Sequence, residues 1–132
     1  MKMTTFGAAV LIAGSLAAPA SAHHSFAMFD AAKTVSIEGT VQEFTWANPH
    51  ATLWVVVKNS AGAAQEWPIE MTGPAALARM GVTKRSFTAG DHVKVDIHPL
   101  RSGATGGSLV GATFPDTGKR VFLDRGPPAP SQ

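Results

Sequence analysis

Apolar residues recur at every second position in several short runs between residues 35 and 123, and turn-forming residues separate the runs. That period belongs to β-strands that bury one face, and a helix-rich fold is excluded by it. Val35, Ile37 and Val41 share one face of the first run, VSIEGTVQEFTW, which Gly39 interrupts. A glycine inside such a strand marks a bulge or bend. Ala47-Asn48-Pro49 supplies a turn, HATLWVVVK a second strand, and NSAGA a hairpin into a third, AQEWPIEM. Pro68 within that third strand lacks a ladder donor and points to an edge or a bulge.

Residues 73–81, GPAALARMG, break the alternation: proline stands at a first helical turn, glycine at a helix end, and Leu77 and Met80 share one face. HVKVDIHPL then turns Val93, Val95 and Ile97 inward, and GSLVGATF and KRVFL form a closing hairpin across PDTG. The predicted class is all-β with one short helix. Three strands, a helix between the third and fourth, and a terminal hairpin is the order of a small OB-fold-like barrel of five to six strands.

The first residues, MKMTTFGAAVLIAGSLAAPASA, have a positive Lys2, an apolar run from Phe6 to Ala18, and small residues Ala20-Ser21-Ala22. They read as a cleavable signal peptide over residues 1–22, with an apolar run too short to span a bilayer. The expected location is therefore periplasmic or secreted, with no membrane span after cleavage. The expected organisation is a histidine-containing leader over 23–33, one barrel domain over 34–123, and a disordered Pro-rich tail over 124–132. With no cysteine in the chain, stability has to come from burial and strand pairing. Loss of Lys2 leaves 10 Lys and Arg against 9 Asp and Glu, a near balance with only two adjacent basic pairs, Lys84-Arg85 and Lys119-Arg120. Nucleic acid is not an expected partner for such a surface.

HHSFAMFD after the signal, GTVQEFTWANPH, WPIEMTGPAALARMGV and GDHVKVDIHP together resemble a family of small exported bacterial proteins of unknown function, the DUF6152 type. The resemblance runs from His23 to about Leu123. It implies location and fold, carries no settled activity, and places His23, His24 and His50 in the recognisable segments.

Cleavage after Ala22 makes His23 the terminal residue, and its amine and ring Nδ1 can chelate one cation. Such nitrogen ligation suits Cu(II), and an α-amine with a pKa near 8 deprotonates readily when metal competes. His24 follows directly. In a barrel of this order, His50 falls in the loop joining the first two strands and His98 ends the fourth, both at the usual ligand-binding side. The expected metal set is His23, His24, His50 and His98, with copper the expected cofactor if any. His92, at the other end of the fourth strand, is the least suited partner. The bland alternative is that these imidazoles are surface residues or hydrogen-bonded ones.

Trp46, Trp54 and Trp67, with Asn48, form a second candidate set. Phe44 and Trp46 have the parity opposite to the core set, unless a bulge resets it, so they are expected in an outer groove for a peptide, glycan or envelope protein. The competing expectation is that these rings fill a small core. The serines lie in no nucleophile context, Glu38, Glu43, Glu66 and Glu70 alternate as solvent-facing residues do, and residues 103–108 (GATGGS) lack the lysine of a phosphate loop. No enzyme is expected.

Overall fold

The computed structural model describes residues 26–122. The expected signal peptide, the expected leader histidines His23 and His24, and the expected tail over 124–132 lie outside the described residues. The described chain forms β1 (Val35–Thr45), β2 (Thr52–Lys58), β3 (Ala64–Glu70), α1 (Pro74–Arg79), β4 (His92–Pro99), β5 (Gly107–Thr113) and β6 (Arg120–Phe122). A 3-10 turn at Phe26–Met28 precedes them.

The strands lie in the order β3-β2-β1-β4-β5-β6, and a parallel pairing of β3 with β5 joins the ends of the first five into a closed barrel. β1 is long because it serves two neighbours. Its first half, from Val35 to Thr40, pairs with β4, and its second half, from Thr40 to Thr45, pairs with β2. Gly39 sits next to the handover, where a Cβ would collide with the Val56 carbonyl. It provides a close approach rather than the bulge expected there. The ladder irregularity comes later, between Val41 and Glu43.

That shift resets the parity of the strand. Phe44 and Trp46 are consequently packed against the core. Pro68 is tolerated because β3 meets β5 only at Ile69 and Glu70, which leaves the Pro68 position without a partner strand on that side.

Leu53, Val55, Ile69, Val93, Val95 and Ile97 fill the barrel and are fully buried. Leu77 of α1 is buried with them. Pro74 opens the helix, and Gly81, at φ +84°, closes it: Gly81 N–H donates to Ala78 O and Val82 N–H to Leu77 O. This pair of reversed bonds is a Schellman cap, in which the left-handed residue costs glycine nothing. Phe87 stacks on Phe114 at 5.6 Å and meets Phe44 edge-on at 5.1 Å, extending the core between the helix-to-β4 connection and the terminal hairpin.

Leu53 is enclosed on every side, so Leu53→Ala leaves a cavity. It is expected to lower the unfolding free energy by about 2–5 kcal/mol in urea titration; an unchanged midpoint and slope would contradict the assignment of this core.

Candidate functional site

The residues just before β1 cross the barrel exterior and are tied to the β4–β5 connection. Phe29 bridges to Leu100 and is buried. Asp30 N–H donates to Pro99 O at 2.8 Å, and Arg101 N–H to Met28 O at 2.9 Å. The Arg101 guanidinium also donates to Ala27 O. The leader is thus strapped down by Phe29 and by backbone bonds, while Phe26 stays 54% exposed.

The strap, β2, β3 and the start of β5 enclose a cavity of about 300 Å³ on the outer face, lined by Met28, Phe29, Trp54, Pro68, Leu100 and Glu70 among others. Trp54 stands opposite Pro68 in the β2–β3 ladder. Since Leu53 and Ile69 point inward, alternation turns Trp54, Pro68 and Glu70 outward. Trp54 therefore faces out of the barrel, into this cavity. Trp46 meets Phe44 edge-on at 5.8 Å, and both it and Trp67 pack against the core. Trp67 Nε1 is buried without a hydrogen-bond partner among the described residues. Asn48 is exposed in the turn ahead of His50. None of these three lines the cavity.

His50 sits at the rim. Its Nδ1 lies 2.5 Å from Glu70 Oε1, both side chains are about a quarter exposed, and the Phe26 ring meets the imidazole edge-on at 5.9 Å. In a neutral ring, an Nδ1–H donated to the carboxylate leaves the lone pair on Nε2. His98 is oriented the same way, its Nδ1 donating to Lys33 O at 2.7 Å. Among the described residues, no three His, Asp or Glu side chains come together to hold a metal ion.

Glu70 was missed in the sequence because strand alternation alone marks it as solvent-facing. The register of the β2–β3 hairpin pairs it with Thr52, two residues from His50. Lys58 and Ala64 close that ladder across the NSAGA turn. Counting back from that turn gives the same neighbourhood.

The other end of β4 holds a second polar constellation. His92 Nε2 lies 2.8 Å from Glu38 Oε1, and its Nδ1 3.2 Å from Asp116 Oδ1. A neutral ring has only one N–H, so both contacts are favourable together only for the imidazolium. Hydrogen bonds to Asp116 and Glu38 accordingly hold the His92 pKa above its ordinary value, against a smaller opposing effect of burial. Beside it, Glu38, Gly39, Thr40, Val56, Lys58 and Ala64 line a shallow cavity of about 410 Å³.

These features define a small OB-fold-like barrel with a strapped groove on its β2–β3 face. The chain belongs to the DUF6152 family, a family of unknown function, whose pattern matches residues 11–109. No curated protein matches the sequence. Among solved structures, the chain is similar to a mitochondrial single-stranded DNA-binding protein of S. cerevisiae at 13% identity, with a TM-score of 0.42, covering 71% of this chain and 97% of that one.

The His92 contacts set the direction of one pH effect. A raised folded pKa stabilises the fold fully below the unfolded value of about 6.5, and this contribution fades as pH rises through the folded value. The protein is expected to lose stability relative to His92→Gln on going from just below pH 6.5 to above the folded pKa of His92. Parallel stability curves for the two across that window, measured by thermal unfolding, would contradict it.

Proposed function

We propose that this protein is an exported periplasmic metal-binding module that takes Cu(II) through the His23 amine and ring together with His50, with His24 as a further imidazole. The observation that carries the reading is the His50–Glu70 pair with Phe26 against it. A carboxylate that fixes one ring nitrogen and leaves the other to a cation is the usual outer-shell arrangement of a ligating histidine. Phe26 brings the leader to this imidazole, and three residues of extended chain span roughly 10 Å. A terminus at His23 is therefore within reach of His50. The absence of cysteine leaves imidazole and amine nitrogen as the strongest available donors, and such donors favour Cu(II) at the top of the divalent series. Carriage or sequestration needs no catalytic group.

The cavity beside Trp54 favours a second, metal-free reading: a groove for an extended Pro-rich peptide, in which the histidines are incidental. An aromatic wall facing proline rings is a common means of peptide recognition.

Titration of the processed protein with Cu(II) tests the first reading. One extra residue ahead of His23, or His50→Ala, is expected to weaken binding at least tenfold, and Glu70→Gln by about 10–100-fold through loss of ring orientation. Equal affinities across the series would sink it.

A further inference from the structure

Two neighbouring rungs of the β2–β3 ladder set the chemistry of the cavity beneath the strap. Thr52 stands opposite Glu70, and Trp54 opposite Pro68. All four line the cavity, because positions two apart on a strand share a face. One rung is polar and the next is apolar. A Cβ on Gly106 would lie 3.3 Å from Pro68 Cγ and 3.2 Å from Leu100 Cδ1, so Leu100 continues the apolar end toward the β4–β5 connection.

Glu70 is the one charged side chain among the described residues that line the cavity. Its Oε1 accepts from His50 Nδ1, and a carboxylate has about four acceptor positions in all. That bond does not exhaust it. Arg101, which follows Leu100, is turned elsewhere: its guanidinium donates to Ala27 O and stands 3.8 Å from Asp30. The cavity thus pairs an acidic end with an apolar one.

We propose that this cavity binds a small arylalkylammonium ligand, with its ring against Trp54 and Pro68 and its ammonium on Glu70 and Thr52. The inference goes beyond both readings above, since it uses neither the free nitrogen of His50 nor an extended peptide. A volume of about 300 Å³ is at the small end for ligand sites, which selects one ring rather than several. Tryptophan offers a ring face that suits an aromatic partner and a nearby cation alike. The Met28 thioether in the roof suits an aromatic ring as well. An ammonium supplies the donors that a carboxylate and a hydroxyl both accept.

The strap sets the direction of entry. One end is tied to the β4–β5 connection by the Phe29–Leu100 bridge and by the backbone bonds of Asp30 and Met28. The other end meets His50 only through the exposed Phe26 ring. The ligand enters on the Phe26 side, where Glu70 stands, so its charged head stays near water while its ring goes in toward Leu100.

Titration of the ¹⁵N-labelled processed protein tests this, with EDTA present so that no metal reaches His50. Phenethylamine is expected to move the Trp54 indole and Gly107 amide resonances along a saturable curve. The carboxylate of similar shape, 3-phenylpropionate, is expected to bind about tenfold more weakly or worse, because it meets Glu70 with like charge. Glu70→Gln is expected to weaken phenethylamine by about tenfold or more and to narrow the gap between the two ligands. Equal binding of the two by the unaltered protein, a comparison that depends on no variant folding, would overturn the proposal, as would shifts that never saturate. So would phenethylamine binding that Glu70→Gln leaves unchanged. A Pro-rich peptide that moves Trp54 where phenethylamine does not would overturn it too, and would leave the groove to the peptide reading.

Discussion

The parallel contact between the ends of β3 and β5 is the constraint on which the rest of the molecule depends. Ile69 meets Gly107 and Glu70 meets Ser108, and these two pairings turn an open sheet into a barrel. Gly107 is also pressed against β4 at this point: a Cβ there would lie 2.6 Å from the His98 carbonyl oxygen and 2.8 Å from Ile97 Cδ1, distances real Cβ contacts do not adopt. Gly106, at φ +126°, turns the chain into the contact. Closure removes two strand edges at once and lets Ile69, Ile97 and Leu109 share one buried core.

The candidate face combines that closure with the β2–β3 ladder. The ladder's register sets Glu70 beside His50, and closure brings the β4–β5 connection near β3. The strap of Phe29 and Asp30 can then bind Leu100 and Pro99 while its remaining residues roof the Trp54 cavity. At the opposite end of the barrel His92 joins β1 and the β5–β6 turn through two carboxylates, beside the Phe87–Phe114 stack. One end therefore carries an imidazole between two carboxylates, while the other offers an apolar groove with an oriented imidazole at its rim.

The period-two runs made the strand ladder legible, and proline and glycine punctuation placed the single helix, because both signals are local. β2 and β3 could be drawn to within a residue or two from composition alone. Features that depend on register were not legible. The irregularity between Val41 and Glu43 decides whether Phe44 and Trp46 face in or out, and no residue in VQEF announces it. The contacts of Glu70 with His50, and of Glu38 and Asp116 with His92, join residues from separate strands and turns. Alternation could mark Glu38 and Glu70 only as outward-facing. His92, the histidine that its place at the far end of β4 set aside, is the one with a carboxylate at each ring nitrogen.

The central claim is that Glu70 orients His50 so that its free nitrogen completes a copper site with the terminal histidine. Pulsed EPR of the Cu(II)-loaded processed protein tests it most directly, because the remote nitrogen of a coordinated imidazole modulates the echo. The account predicts modulation from His50 that disappears in His50→Ala, with the His23 contribution retained. Identical spectra from the two proteins would contradict it.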